Sequence, residues 1–287
     1  MRGLRRGVRY FVAVMAGVGS ACIHVAPPKE SPICVTVPIE EPEPPAPSLP
    51  PDLPPLEASA PFMDLPVSGY ESAVVSVPIG ARSRRPLVVA AHGAGDRPEW
   101  QCSFWREIVQ DRAFVLCPRG VPMNPQTAPD RTGYFYTTHH QLGGEIESAV
   151  ASLLARFRPH LDASAPVFAG FSQGAIMGAL LLPHHPARFA RAVLIEGGAG
   201  TFQEWNRHAA RRFRERGGVR VLFACGRAEC ASAAEISEGY MAKEGLPAQV
   251  VHAPGAGHTY GGPVGEEIAR AFSWLIAGDE RFSPLAP

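Results

Sequence analysis

The sequence predicts an α/β protein, a mostly parallel sheet of about seven to eight strands with helices on both faces. Three observations predict it. Beyond Pro66, short β-branched runs alternate with stretches of helical character. The runs are apolar almost throughout, as strands covered on both faces are. Nearly every run ends in a glycine or a polar loop. Parallel strands joined by right-handed crossovers place those ends along one edge, where such sheets carry their sites.

The candidate strands, in order, are 72–79 (SAVVSVPI), 86–93 (PLVVAAHG), 113–120 (AFVLCPRG), 165–172 (APVFAGFS), 191–198 (RAVLIEGG), 219–226 (VRVLFACG) and 248–255 (AQVVHAPG). Each is a short β-branched or apolar run closed by glycine, proline or a polar residue. Helices are expected between them at about 99–110, 144–160, 173–182, 202–216, 232–244 and 265–277. No internal repeat is visible.

At 287 residues, 46% of them hydrophobic, the chain suffices for one large α/β domain. Its charges balance, 27 basic against 27 acidic, so no overall field recruits nucleic acid, and no zinc-finger or RNA-binding signature occurs. Nucleic acid is therefore not expected as a partner.

The first ten residues carry four arginines, and the apolar run FVAVMAGVG follows before small residues and Cys22. That is the layout of a secretory signal over 1–21, and the run is too short for a comfortable transmembrane span. The stretch GSAC resembles a bacterial lipoprotein cleavage site, with Gly19 where a larger aliphatic residue is usual. On that reading Cys22 becomes a lipidated first residue, and the protein is exported to the periplasm or outer surface. Residues 22–66 hold nearly half of the 30 prolines, and so read as a disordered, stiff spacer. The folded α/β domain is expected at 67–287.

Export makes disulfides admissible. Cys102 with Cys117 and Cys225 with Cys230 are the expected pairs, leaving Cys34 over if Cys22 is lipidated and pairing Cys22 with Cys34 if it is not. There is no C-x-x-C and no histidine at ligand spacing, so neither a metal nor a cofactor is expected.

The chemistry centres on Gly170-Phe171-Ser172-Gln173-Gly174, a G-x-S-x-G sequence with a strand before it and a helix after. A turn that sharp brings strand and helix too close for side chains at the flanking positions, and it lifts the serine to the sheet edge. An ordinary glycine-rich turn such as a phosphate loop is the competing reading, but the lysine of a Walker loop and the third glycine of a dinucleotide fingerprint are both missing. A serine hydroxyl needs a base. His258, in APGAGHTYGG after the last strand, has the correct chain order and lies at the correct end of the sheet. The pairs His139-His140 and His184-His185 read as loop residues, His160 and His208 as helix-surface residues, His252 as a strand residue and His92 as structural. For the acid that orients the imidazole, Glu229 is preferred because it follows strand 219–226, and Glu196, at the tip of 191–198, is the alternative. The backbone N–H groups of Ala94 and Gln173 are the expected oxyanion donors, with Asp96 bonding the helix or loop that follows.

The stretches AHGAGD, GFSQG and GAGH, in this order, resemble the α/β-hydrolase superfamily. Within it they are most similar to the carboxylesterase and acyl-protein thioesterase-like group, and more weakly to secreted polyester and feruloyl esterases. The resemblance covers about 86–277. It implies a monomeric serine hydrolase that cleaves small or polymeric esters or thioesters through an acyl-enzyme, with Ser172 as nucleophile, His258 as base and Ala94 and Gln173 as oxyanion donors. Where the family usually has an aspartate this chain has Glu229. A non-catalytic binding protein and a peptidase of the same fold are the alternatives.

Overall fold

The strand order follows from where each apolar run finds a partner. In the computed structural model, which describes residues 53–185, 189–200 and 204–282, eight strands form one sheet. Strand β1 (Phe62–Leu65) pairs antiparallel with β2 (Ala73–Ser76), and β3 (Arg85–Ala91) is followed by helix α1 (Pro98–Val109) and then β4 (Phe114–Cys117). A hairpin of β5 (Val121–Pro122) and β6 (Tyr134–Phe135) stands apart from the sheet. Helix α2 (His139–Phe157) leads to β7 (Leu161–Phe171), α3 (Gln173–Leu181) and β8 (Arg191–Ile195). The chain ends with α4 (Arg207–Glu215), β9 (Arg220–Cys225), α5 (Ala228–Lys243), β10 (Ala248–His252) and α6 (Gly262–Ile276). The sheet order is β1-β2-β4-β3-β7-β8-β9-β10, parallel from β4 through β10.

Alternate residues of each central strand feed two separate cores, as a period of two requires. Leu87, Val89, Phe168, Leu194 and Phe223 face α2, α3, α4 and α5, whose Leu142, Ile146, Ala175, Phe213 and Met241 complete that layer. Val88, Ala90, Val167, Val193 and Leu222 face α1 and α6, against Trp105, Ile268, Phe272 and Leu275. Each of these large side chains, once out of water, stabilises the fold by about 2 kcal/mol. Disulfides tie Cys102 of α1 to Cys117 of β4, and Cys225 at the end of β9 to Cys230 in the first turn of α5.

The structure departs from the sequence expectations in several places. The spacer was expected to run to Pro66, but Leu56 and Leu65 are core residues, Leu56 N–H donates to Ala81, and β1 pairs with β2. Proline density masked this strand, which is only four residues long. Helix α2 starts at His139 because the Thr138 hydroxyl accepts the Gln141 N–H as a cap. His139 and His140 are thus helical and not loop residues. His160 is buried, with its ring against the Pro54 carbonyl at 2.8 Å. The expected signal segment, Cys22 and Cys34 lie outside the described residues. Among the described residues no helix is long and apolar enough to cross a membrane.

Candidate active site

Strand β7 runs through the middle of the sheet and stops at Phe171. Ser172 then takes φ 50° and ψ −113°, a backbone conformation that costs a non-glycine residue about 1–3 kcal/mol. Its N–H donates to the Ile195 carbonyl at 2.8 Å, and α3 begins at the next residue. The hydroxyl does not cap that helix and is left for other chemistry. The two glycines are required by close approach. A Cβ on Gly170 would lie 2.6 Å from the Gly174 carbonyl oxygen, and one on Gly174 would meet the carbonyls of Ala91 and His92, all of them backbone atoms. Gly174→Ala is therefore expected to lower the unfolding free energy by about 3 kcal/mol, read from the urea midpoint.

His258 arrives from the loop after β10, where Gly255 and Gly257 both take positive φ. Its Nε2 lies 2.9 Å from Ser172 Oγ, and its Nδ1 lies 3.0 Å from Glu196 Oε2. An ionised carboxylate only accepts, so Nδ1 carries the proton and Nε2 accepts the serine hydroxyl. The ring packs against Phe171, with centroids 5.0 Å apart, and keeps its side chain 41% exposed.

Glu196 follows β8 directly, at φ 53°, and its side chain is fully buried. Its Oε1 accepts the N–H groups of Gly226 at 2.6 Å and Arg227 at 3.0 Å; its Oε2 accepts Arg227 Nε at 2.6 Å beside His258. Burial by itself would raise the carboxyl's pKa. The Gly226 N–H, His258 and Arg227 outweigh it and hold the group below the usual glutamate range.

The preferred acid from sequence, Glu229, is not the carboxylate on His258. Helix α5 begins at Ala228, four residues earlier than expected, so Glu229 falls in its first turn. It is exposed there and complements the positive helix terminus. The position after β9 that pointed to Glu229 is filled instead by Gly226 and Arg227, whose N–H groups hold Glu196.

Ala94 is exposed at the turn after β3, and Gln173 opens α3. Among the described residues no hydrogen bond takes up either N–H. A Cβ on Gly93 would come within 3.2 Å of the Ser172 Cβ, so this turn lies against the serine. Sequence reasoning missed what holds these donors in place. The Gln173 side chain pairs with Tyr136, accepting its N–H at 2.9 Å and donating to its carbonyl at 3.1 Å. The Tyr136 hydroxyl donates to the Pro118 carbonyl and accepts the His92 N–H. His92 is buried with its ring between the carbonyls of Gly93 and Arg119, and burial pushes its pKa down. Asp96 accepts the Arg97 N–H of its own loop, and Gln101 bonds its other oxygen. Trp105, Tyr134 and Tyr136 are core residues, whereas Trp100 is exposed. The metal-ligand types that cluster among the described residues are Glu196, Cys225 and Cys230, and the two sulfurs are bonded to each other. That form offers no thiolate to an ion.

A central parallel sheet with a serine elbow at its carboxyl edge defines the α/β-hydrolase fold, and this chain has it. Solved structures share the architecture at low sequence identity. TT1662 from Thermus thermophilus superposes with a TM-score of 0.52 at 19% identity, over 78% of this chain and 98% of that one. The fluorophosphonate-binding serine hydrolase F (FphF) of Staphylococcus aureus gives 0.53 at 14%, over 78% and 99%. The Bacillus cereus carboxylesterase gives 0.50 at 17%, over 71% and 93%. No protein-family model and no curated protein sequence matches the chain.

Proposed function

We propose that the protein is a serine hydrolase that cleaves carboxylic esters or thioesters through an acyl-enzyme. One observation carries the reading: the unbroken run of hydrogen bonds from Ser172 Oγ through both ring nitrogens of His258 to Glu196. In the first step His258 takes the hydroxyl proton as Ser172 attacks the acyl carbon, and the buried carboxylate stabilises the imidazolium that forms. The N–H groups of Ala94 and Gln173 donate to the developing oxyanion, helped by the positive end of α3. Collapse expels the alcohol or thiol, which His258 protonates, and water repeats the sequence to release the acid. A non-catalytic binding protein of this fold has no need of a buried carboxylate behind an exposed histidine, so the Glu196 contact weighs against that alternative.

The reading extends to location. The arginine-rich start, apolar run and GSAC stretch support export, with Cys22 as a lipid-bearing tether and the proline-rich segment as its spacer. Detergent partitioning of the protein expressed in a bacterium, compared with Cys22→Ala, tests this. Loss of partitioning in the variant is expected, and equal partitioning contradicts the tether.

The test of function is hydrolysis of p-nitrophenyl acetate across pH. Glu196 is held below the ordinary glutamate range, so it remains a carboxylate as pH falls toward that range, and its support of His258 is lost only below it. The acid side of the kcat/KM profile is therefore expected to fall with a single proton down to about pH 4.3, the unperturbed glutamate value. A two-proton fall above that point contradicts the ionised Glu196.

A further inference from the structure

The segment between Cys225 and Cys230 does more than connect β9 to α5. Two of the four residues it encloses, Arg227 and Gly226, supply every hydrogen bond to the Glu196 carboxylate among the described residues other than that of His258. Its strand end also touches the loop that carries the base. The Cys225 carbonyl accepts the Ala253 N–H at 2.8 Å, and a Cβ on Gly226 would collide with the Gly257 carbonyl, the residue before His258. One short closed loop thus borders both the acid and the histidine. Within it Arg227 is singular. Its side chain is 47% exposed, yet its Nε reaches Oε2, the oxygen that His258 uses, while its own N–H holds Oε1. It grips both oxygens and fixes the carboxylate plane that faces the imidazole.

We propose that Arg227 is a positioning residue for Glu196, and that the Cys225–Cys230 disulfide keeps the loop closed around the acid, so that opening the bond disengages Glu196 from His258 and lowers turnover. The inference rests on the serine-hydrolase reading for its kinetic consequence, though not for its geometry. A dithiol is the agent that opens it. One of its thiolates attacks the Cys230 sulfur and expels Cys225 as a thiolate. The second thiol then closes on the first, leaving two cysteine thiols and one cyclic disulfide of the reagent. The protein disulfide is reduced and the dithiol oxidised, by two electrons.

The experiment uses the full chain and two readouts. The first is steady-state hydrolysis of p-nitrophenyl acetate. The second is the downfield proton resonance of His258 Nδ1–H, which reports its hydrogen bond to Glu196 without turnover and is assigned with His258→Gln. Dithiothreitol and the double variant Cys225→Ser/Cys230→Ser are each expected to lower kcat about tenfold, the scale of one lost bond to a charged group, and to leave KM within about twofold. Dithiothreitol has no further effect on that variant. Arg227→Met is expected to act in the same direction, with the resonance weakened or shifted, and Arg227→Lys to recover part of both. Cys102→Ser/Cys117→Ser is the control and keeps the dithiothreitol response. The proposal is overturned if the double variant and Arg227→Met both retain the wild-type resonance and kcat. Failure of the serine-hydrolase reading looks different: the wild-type protein shows the resonance and hydrolyses nothing, and the resonance comparison still decides the positioning role.

Discussion

Ser172→Ala is expected to lower kcat/KM for p-nitrophenyl acetate by about four orders of magnitude or more, with an unchanged circular dichroism spectrum and a urea midpoint at or above that of the wild type. The size follows from what the serine supplies. On the proposed mechanism its oxygen forms the bond to the acyl carbon, so removing it deletes the covalent route and leaves only binding and the oxyanion donors. The effect falls on kcat. The retained stability follows from the local structure, because the hydroxyl bonds the exposed side of His258 and caps nothing. Alanine inherits the strained φ of 50° without the need to present a side chain.

Glu196→Gln is expected to lower kcat by about 10³- to 10⁴-fold, whereas Glu229→Gln is expected to leave it within about twofold. Every group that meets the Glu196 carboxylate is a donor. Two N–H groups converge on Oε1; Arg227 Nε and His258 Nδ1 converge on Oε2. A glutamine keeps the shape but can present its carbonyl to only one of these pairs. If the carbonyl faces Gly226 and Arg227 N–H, the amide NH₂ faces His258 and turns Nδ1 into an acceptor. Nε2 then carries the proton toward Ser172 and cannot take another. If the amide is reversed, the buried Gly226 N–H and the part-buried Arg227 N–H lose their acceptor, which costs about 1–3 kcal/mol for the buried one. Either outcome removes the base, the first through the tautomer and the second through the loop. Glu229 has no such neighbours, being exposed in the first turn of α5. Equal losses in both variants, or a larger loss in Glu229→Gln, contradict this assignment.

Much of the fold was legible because its signals are local and periodic. The seven apolar runs are strands, and the G-x-S-x-G stretch lies at a strand-to-helix turn because its glycines answer a steric demand that sequence displays. His258 was legible for a similar reason, as the histidine in a glycine-rich loop beyond the last strand. The acid was not. Two strands end beside a glutamate, and choosing between them depends on whether α5 starts at Ala228 or at about residue 232. Arg227 and Ala228 carry no capping signature: the N-cap, Arg227, makes no side-chain cap bond. What holds Glu196 is mostly backbone N–H, which every sequence has and none displays. Strand β1 was hidden by the prolines on either side, and the start of α2 was expected at about residue 144 although Thr138 caps the helix at His139. The Gln173–Tyr136 pairing spans 37 residues and leaves no pattern in the chain.

The central claim is that Ser172 is a nucleophile activated by His258 and Glu196. The most direct test treats the purified protein with a fluorophosphonate and maps the adduct by peptide mass spectrometry. One adduct per chain is expected, on the peptide containing Ser172, forming at a rate that drops in Glu196→Gln and is unchanged in Glu229→Gln. A folded protein that takes up no fluorophosphonate, or takes it up at another residue, contradicts the account.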